Sequence, residues 1–238
     1  MRDGKLFLPV AGRPLLAHTL AALERCPEVR WIVLAAHPEA FAQIRALIRR
    51  YRIRKALAPV SGGASRAASV AHGVAAVPDQ AAWVLIHDGA RPCVTPSLIR
   101  RAVRAASRYG AVACGLPASL TVKATDAQGW VRLTLDRSQL WFVQTPQVFR
   151  RDWLVQALAR VQGTLEAFPD DAAVVESSGV PVRMIPGDPL NLKVTTREDL
   201  LLAEAILRKR QPVERRAGGR RIRHRRVLAS RPQLSRGR

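Results

Sequence analysis

The sequence predicts a doubly wound α/β domain built on a mostly parallel sheet. Continuous apolar runs of strand length, such as residues 31–36 and 83–87, alternate with segments of helical periodicity. Runs without polar alternation are typical of strands buried on both faces, and strands alternating with helices indicate βαβ units. The length of 238 residues is sufficient for one such domain with a substantial core.

The elements follow one another regularly along the chain. The first helix follows Pro14, a favourable first-turn residue, and carries Leu15, Leu16, Leu20 and Leu23 at helical spacing. After strand 31–36, the patterns predict helix 38–51, strand 56–60, helix 66–77, strand 83–87, helix 96–109, strand 111–116, helices 152–161 and 171–178, strand 181–185 and helix 196–209. Thr195 and Glu198 have the spacing of a capping box for the last helix.

Residues 117–150 interrupt this alternation. Segments 120–123 and 131–135 alternate across a turn at 126–129, which predicts a β-hairpin. A hairpin inserted into a parallel domain projects from it with edges that need covering, so we expect an arm that makes dimer contacts.

The charge is divided unevenly along the chain. The whole chain carries a formal net charge of +21, of which residues 208–238, with 13 basic residues and one acidic residue, contribute +12. We therefore expect a domain at 1–207, whose charge of +9 suits anionic substrates, and a basic, disordered tail at 208–238. The tail lacks interleaved aromatic residues, and a role in binding nucleic acid is not favoured.

Cysteine use and hydropathy indicate a cytoplasmic protein. Cys26, Cys93 and Cys114 are too few and too scattered for a disulfide framework or a zinc knuckle, and are expected to be reduced thiols. No apolar run is long enough to span a bilayer, so no membrane association is expected. Metalloprotease, serine-hydrolase and P-loop motifs are also missing from the sequence.

Three loops at predicted strand ends carry candidate chemistry, because ligands of open α/β sheets bind beyond the carboxyl ends of the strands. The loop 61–66 contains Gly62 and Gly63, which either let backbone amides approach an anion or form a plain turn. Asp88 and Arg91 follow the next strand, where they could serve a metal, a ribose or a phosphate, or form a local ion pair. Lys193 precedes the last helix and could reach an anion, although a lone lysine is commonly a surface residue.

Several stretches, taken together and in order, resemble a known family. They are KLFLPVAGRPLL at 5–16, the segments 62–70 and 145–147, HDGARP at 87–92, LDRSQLW at 135–141, DDA at 170–172 and NLKVT at 191–195. This series is similar to that of the 2-C-methyl-D-erythritol 4-phosphate cytidylyltransferases over about residues 5–207. The resemblance implies a Rossmann-like nucleotidyltransferase that moves a cytidylyl group from CTP to a sugar-alcohol phosphate with Mg²⁺.

The resemblance also implies residue roles. Lys5 matches a lysine that contacts the triphosphate, Lys193 one near the α-phosphate, and Arg137 a hairpin arginine that reaches the partner subunit's site in a homodimer. The positions matching cytidine and ribose contacts are Gly63, Ala64, Ser69, Asp88 and Gly89; those matching the acceptor side are Asp88, Arg91, Thr121 and Thr145. The resemblance does not assign the metal ligands.

The chain also departs from the family pattern. The family opens with a buried strand and a Gly-rich loop bearing an arginine, whereas this sequence starts at Met1-Arg2-Asp3-Gly4. We expect roughly twenty further residues upstream, the length of one strand and its loop, without which a central sheet position is empty and its neighbours are unpaired. Gly89 stands where the family has an alanine, and Ala64 where acidic residues are common.

Two alternative functions remain open at this stage. Ribitol-5-phosphate cytidylyltransferases share the fold and much of the motif set, so acceptor selectivity alone would separate them. A binding protein, namely an inactive relative with a basic arm for nucleic acid, is the alternative from a different class.

Overall fold

In a computed structural model of the chain, residues 4–210 are described. Within them the helices are α1 (Leu15–Glu24), α2 (Phe41–Arg50), α3 (Arg66–Ala75), α4 (Pro96–Tyr109), α5 (Arg151–Arg160), α6 (Asp171–Glu176) and α7 (Arg197–Arg210). The strands are β1 (Pro9–Val10), β2 (Arg13–Pro14), β3 (Ala35–Ala36), β4 (Val60–Ser61), β5 (Trp83–Ile86), β6 (Ala111–Pro117), β7 (Val122–Thr125), β8 (Val131–Leu135), β9 (Trp141–Arg150) and β10 (Arg183–Pro186).

Four strands form the central sheet in the order β10-β6-β9-β5. Strand β10 is parallel to β6, while β6 and β5 are both antiparallel to β9. Strands β5, β6 and β10 therefore run in the same direction, and β9 is the reversed member. The predicted α/β fold is confirmed, with this one strand inserted against the common direction.

Strand β9 is the element that the sequence pattern missed, because residues 141–150 were included in the projecting arm. Pro146 argues against a central strand, since it cannot donate to the ladder. The register changes from Ala113↔Gln147 to Cys114↔Gln144, which leaves Thr145 and Pro146 out of the regular pairing. A bulge thus accommodates the proline, and the projecting segment is shorter than the predicted 117–150.

Both faces of the central sheet are covered by helices. On one face, Val112 and Cys114 of β6 pack in a core with residues of α1, α2 and α4, such as Leu98. On the other face, Ala111 and Ala113 belong to a core with residues of α3, α5 and α6. The alternation along β6 sends successive side chains into opposite cores, which is why this strand is apolar throughout.

Strands β3 and β4 pair with each other in parallel, apart from the central sheet. The predicted strand 31–36 is regular only at its end, and a single bridge joins Ile32 to Ala56 before it. Neither strand pairs with β5 in the described part of the chain. A cavity of about 520 Å³ separates residues 31–35 from β5.

The hairpin of β7 and β8 has the pairing Val122↔Leu135, with an irregularity beside Thr125. Its surface is unusually apolar, since Leu120 and Trp130 are each 73% exposed. Val131 and Leu133 on β8 are also exposed, as are Phe142 and Val143 on the strand that follows. Such a concentration of exposed apolar side chains marks a surface that is suited to a protein contact.

The last helix differs from its prediction in its cap and its end. The Thr196 hydroxyl accepts the Asp199 backbone N–H (3.2 Å), while the Asp199 carboxylate accepts the N–H of Thr196 (2.9 Å). The capping box is therefore Thr196 with Asp199 rather than Thr195 with Glu198. The helix ends at Arg210, one residue beyond the predicted end at 209, and residues 211–238 of the predicted tail lie outside the described residues.

The three cysteines are free and buried, in agreement with the expected reduced thiols. Burial raises the pKa of Cys93 to about 11 and that of Cys114 to about 12, so both stay protonated near neutral pH. Within residues 4–210, no helix is long and apolar enough to cross a bilayer.

Candidate active site

A cluster of charged side chains lies at the carboxyl end of β5, around Asp88. The carboxylate of Asp88 contacts Lys193 Nζ at 3.2 Å, Arg91 Nε at 3.3 Å and Arg66 Nε at 3.5 Å. Three elements thus meet here: the turn after β5, the start of α3 and the segment before α7. The arrangement agrees with the rule that ligands of open α/β sheets bind at this edge.

The electrostatics of the cluster favour anions. Burial acts to raise the pKa of Asp88, but the charges of Lys193, Arg66 and Arg91 outweigh it and hold that pKa below its ordinary value. Arg91 is only 8% exposed, and burial lowers its pKa. Because Asp88 stays ionised, it orients three cations toward one point, where a phosphate could replace it as their partner.

A second set of hydrogen bonds fixes the turn after β5. The Thr145 hydroxyl lies 3.0 Å from His87 Nδ1 and accepts the Asp88 N–H at 3.1 Å. The Asn191 amide donates to the Thr145 carbonyl (2.8 Å), and Arg91 donates to the Asn191 carbonyl (2.9 Å). Burial lowers the pKa of His87 to about 4, so this imidazole is neutral at neutral pH.

Two serines stabilise the loop at residues 61–66, here called the glycine loop. Ser65 caps α3 by accepting the Ala68 N–H, and the Ser69 hydroxyl accepts the Gly63 N–H at 3.0 Å. A Cβ at Gly63 would lie 2.4 Å from the Cβ of Ala68, so only glycine fits there. The loop therefore brings its backbone against the start of α3, with the Gly63 amide already engaged by Ser69.

Arg66 connects this loop to the Asp88 cluster. Its guanidinium makes a bidentate pair with Asp171, at 3.2 and 2.6 Å, while its Nε faces Asp88. Asp171 is 2% exposed and begins α6, the helix capped by Asp170. Burial acts to lower the pKa of Arg66, but the two carboxylates raise it above its ordinary value. One charged side chain thus ties α3, α6 and the turn after β5 together.

Gly89 sits where the chain passes close to α1. Its carbonyl accepts the Thr19 hydroxyl at 3.0 Å, and a Cβ there would lie 3.2 Å from Leu16 Cδ1. An alanine at this position requires Leu16 to move slightly, so the glycine that departs from the family pattern fits the local packing.

The structure assembles some of the sequence-predicted residues and leaves others apart. Asp88, Gly89, Arg91, Thr145 and Lys193 meet in one cluster, and Gly63 with Ser69 adjoins it through α3. Lys5, Ala64, Thr121 and Arg137 are separate: within residues 4–210 no hydrogen bond or ion pair joins their side chains to the cluster. Arg137 donates instead to the Ser119 carbonyl at 2.8 Å, on the exposed hairpin.

Sequence reasoning missed Arg66, Asp171 and Asn191 as parts of this site. Arg66 and Asp171 are 105 positions apart in the chain, and no local pattern in one sequence predicts their pairing. All three residues stand in matched stretches, namely 62–70, DDA and NLKVT, and this was the available signal.

The Asp88 cluster offers the carboxylate of Asp88 as a ligand for a divalent cation. The described residues contain no group of three or more potential metal ligands. Asp88 is the carboxylate that all three cations contact, and Mg²⁺ is commonly held by one or two carboxylates together with substrate phosphates. The residues present therefore fit a metal that arrives with a polyphosphate.

Comparison with known proteins identifies the class. The described fold is shared with crystal structures of the cytidylyltransferase from Thermus thermophilus (36% identity, TM-score 0.71, 86% of this chain and 93% of that one) and of the synthase from Anaerococcus prevotii (28%, 0.77, 84% and 88%). The fold, and a cation cluster at the carboxyl edge of its sheet, are those of an α/β nucleotidyltransferase.

Sequence comparison is more specific. A relative from Gloeobacter violaceus is 42% identical over 208 residues, covering 87% of this chain and 89% of the relative, and one from Desulforamulus reducens is 41% identical over 209 residues, covering 87% and 88%. Both are 2-C-methyl-D-erythritol 4-phosphate cytidylyltransferases, and the profile of that family, IspD, matches residues 1–209. The chain belongs to this family, and the resemblance predicted from its motifs is confirmed.

Proposed function

We propose that this chain transfers the cytidylyl group of CTP to 2-C-methyl-D-erythritol 4-phosphate, forming 4-diphosphocytidyl-2-C-methyl-D-erythritol and pyrophosphate. The observation that carries the proposal is the convergence of Lys193, Arg91 and Arg66 on Asp88, beside the glycine loop. Membership of the cytidylyltransferase family supplies the identity of the two substrates.

The transfer reaction depends on positive charge around the phosphates rather than on a protein nucleophile. A phosphate oxygen of the acceptor attacks the α-phosphorus of CTP, the bond to the β-phosphate breaks, and pyrophosphate leaves. Both reactants are anions, so the approach requires fixed positive charge, which Lys193 provides from the mouth of the cluster, where it is 40% exposed. Lys5 is proposed to hold the triphosphate, although its side chain stands apart from the cluster in this structure.

The nucleoside is proposed to occupy the glycine loop. Ala64 is exposed beside the start of α3, and the Ser69 hydroxyl holds the neighbouring backbone by accepting the Gly63 N–H. Asp88 and Gly89 are proposed to line the opposite side of the nucleoside site. Asp88 would hold Mg²⁺ together with the substrate phosphates, and the ion would supply further positive charge there.

The acceptor is proposed to bind across a homodimer interface. Arg91 and Thr145 belong to the Asp88 cluster, whereas Thr121 and Arg137 lie on or next to the hairpin, outside contact with it. The exposed apolar surface of the hairpin supports its role as a dimer arm that delivers Arg137 to the partner subunit. We further propose a cytoplasmic location, which the free, buried cysteines support.

The test is pyrophosphate release by the full chain from CTP and Mg²⁺, with 2-C-methyl-D-erythritol 4-phosphate or ribitol 5-phosphate as acceptor. We expect release with the erythritol phosphate only, and its loss in Lys193→Gln. Turnover with ribitol phosphate alone would reassign the acceptor. If neither acceptor gives pyrophosphate release and the chain binds nucleic acid in a salt-sensitive manner, the inactive binding protein would be favoured.

A further inference from the structure

A cavity lies where α1, the segment that leads into α4 and the end of α7 meet. It has a volume of about 340 Å³, which is within the range of small-molecule sites. Its charged side chains come from both sides, with Arg13, His18 and Arg25 on or next to α1 and Arg210 on α7. This site, here called the arginine cavity, shares no lining residue with the Asp88 cluster.

The walls of the arginine cavity carry positive charge and no carboxylate. Apart from the basic residues, its lining consists of Thr95 and apolar residues such as Leu207. Among residues 4–210, Arg13 and Arg25 form no ion pair, and the Arg13 guanidinium lies over the Tyr51 ring, 5.7 Å from its centroid. A cleft lined by one sign of charge concentrates ions of the opposite sign. Both arginines are therefore available to an anionic ligand.

His18 shows that these two charges act on the same space. Arg13 precedes α1 and Arg25 follows it, with His18 between them on the helix. Burial lowers the pKa of the His18 imidazole below its ordinary value, and the charges of Arg13 and Arg25 act in the same direction. The positive charge is thus spread along the length of α1 rather than gathered at one point.

Arg210 faces these residues from α7. Its guanidinium donates to the Cys93 carbonyl at 2.6 Å, which fixes it beside the segment that leads into α4. It also lies 3.5 Å from the carboxylate of Asp188, which does not line the cavity. Both members of this pair are partly exposed, so the pair is weak and leaves Arg210 able to engage a more highly charged anion.

We propose that the arginine cavity binds a small diphosphate anion. Guanidinium groups match the geometry of phosphate oxygens, and a diphosphate offers two phosphate groups to arginines that stand at separate points. A single phosphate would reach fewer of them. The proposal goes beyond the transfer reaction, because the cavity contains none of the residues to which a part in that reaction is assigned.

The test is the binding of inorganic pyrophosphate to the full chain, measured by titration calorimetry. In the double variant Arg13→Gln with Arg25→Gln, the affinity should fall at least about tenfold, because two charge-assisted contacts are lost. Arg45→Gln with Arg49→Gln on the exposed face of α2 is the matched control. It removes the same charge and also one contact between an arginine and an aromatic ring, that of Arg45 over Phe41 at 5.8 Å. The control should keep its full affinity.

Binding at the Asp88 cluster must be separated from binding in the cavity, because pyrophosphate is also the proposed leaving group there. The titrations are therefore repeated in Lys193→Gln, where the event that depends on Arg13 and Arg25 should persist. Binding confined to the Asp88 cluster, or to the basic residues 211–238, would give the two double variants equal affinity. That result overturns the proposal.

The His18 ring signals in NMR spectra locate the ligand in the unmodified chain, so this second readout does not depend on the folding of any double variant. His18 lines the cavity, whereas His37 lies outside it and pairs with Glu39 at 3.7 Å. We expect pyrophosphate to shift the signals of His18, assigned with His18→Gln, and to leave those of His37 in place. Absence of binding, or binding without a His18 shift, overturns the proposal.

Discussion

The three cations that contact Asp88 differ in how far they are removed from water. The side chain of Arg91 is 10% exposed and also donates to the Asn191 carbonyl, whereas that of Lys193 is 40% exposed and has Asp88 as its ion-pair partner. A buried ion pair is costly to break, while a half-exposed one contributes little to stability. Asp88 therefore stabilises the fold through its pair with Arg91, whereas its pair with Lys193 leaves that lysine accessible for the role proposed for it.

Lys193→Gln should separate activity from stability. We expect kcat for pyrophosphate release to fall by about 10²–10³, as when a single donor to a developing charge is lost, because the α-phosphate would lose the cation that is proposed to lie beside it. The free energy of unfolding should change by less than about 1 kcal/mol. Steady-state kinetics and urea unfolding measure the two effects, and a large loss of stability would show that Lys193 is structural.

Arg66→Ala should destabilise the protein by about 2–3 kcal/mol, because Asp171 would remain buried without its bidentate partner. Arg151→Ala is the control: Arg151 pairs with Asp79 at 2.7 Å, but Asp79 is 91% exposed and loses little when left alone. Chemical unfolding of both variants gives the comparison. Equal small losses would mean that Arg66 does not hold α3 to α6.

At the scale of elements, regular periodicity was sufficient for the helices but not for the strand that crosses the site. The helix predicted at 96–109 coincides with α4, where Thr95 caps the first turn and Pro96 follows it. Strand β9 was missed because Pro146 breaks its pattern, and only pairing with β5 and β6 makes it a strand. The bulge that admits Pro146 also turns Thr145 toward Asp88, so the irregularity serves the site.

The contacts within the candidate site were predictable only where the two residues are neighbours in the chain. Asp88 and Arg91 are three positions apart and follow an apolar strand, so their contact follows from local geometry. Arg66 and Asp171 pair because α3 and α6 pack side by side on the sheet. No local pattern in the sequence predicts that packing.

Helix α7 carries a pH-dependent cap at its start. Hydrogen bonds from Thr195 and Thr196 lower the pKa of Asp199 from 3.8 to about 2. A carboxyl whose pKa is lower in the folded state stabilises above its unfolded pKa and loses that contribution as the pH falls through its folded pKa. In urea unfolding, Asp199→Asn should therefore be less stable than the unmodified chain at pH 5, with the difference narrowing between about pH 4 and pH 2. A difference independent of pH would show that the carboxylate charge does not matter to the cap.

At the scale of the whole molecule, the described domain has a surface that one copy leaves uncovered. This surface is the hairpin, where Leu120 and Trp130 are largely exposed and Arg137 donates to the Ser119 carbonyl rather than to the Asp88 cluster. In a symmetric dimer the same patch is buried on both copies, and the arm of each reaches the other. Such a dimer would complete each site with an arginine from its partner.

Mixing two inactive variants tests this directly. If Lys193 acts in its own subunit and Arg137 acts in the partner's site, a dimer of Lys193→Gln with Arg137→Ala has one doubly altered site and one intact site. An equal mixture, reassembled at random, should regain about a quarter of the unmodified activity, because half of the dimers are mixed and half of their sites are intact. Each variant alone, measured at the same total concentration, is the control. If both residues serve the same subunit's site, neither site of a mixed dimer is intact and the mixture stays inactive. Leu133→Asp places a charge on the exposed face of β8 and should disrupt the dimer contact. We expect this variant to sediment as a folded monomer. When it is added to both inactive variants, their mixture should regain no activity.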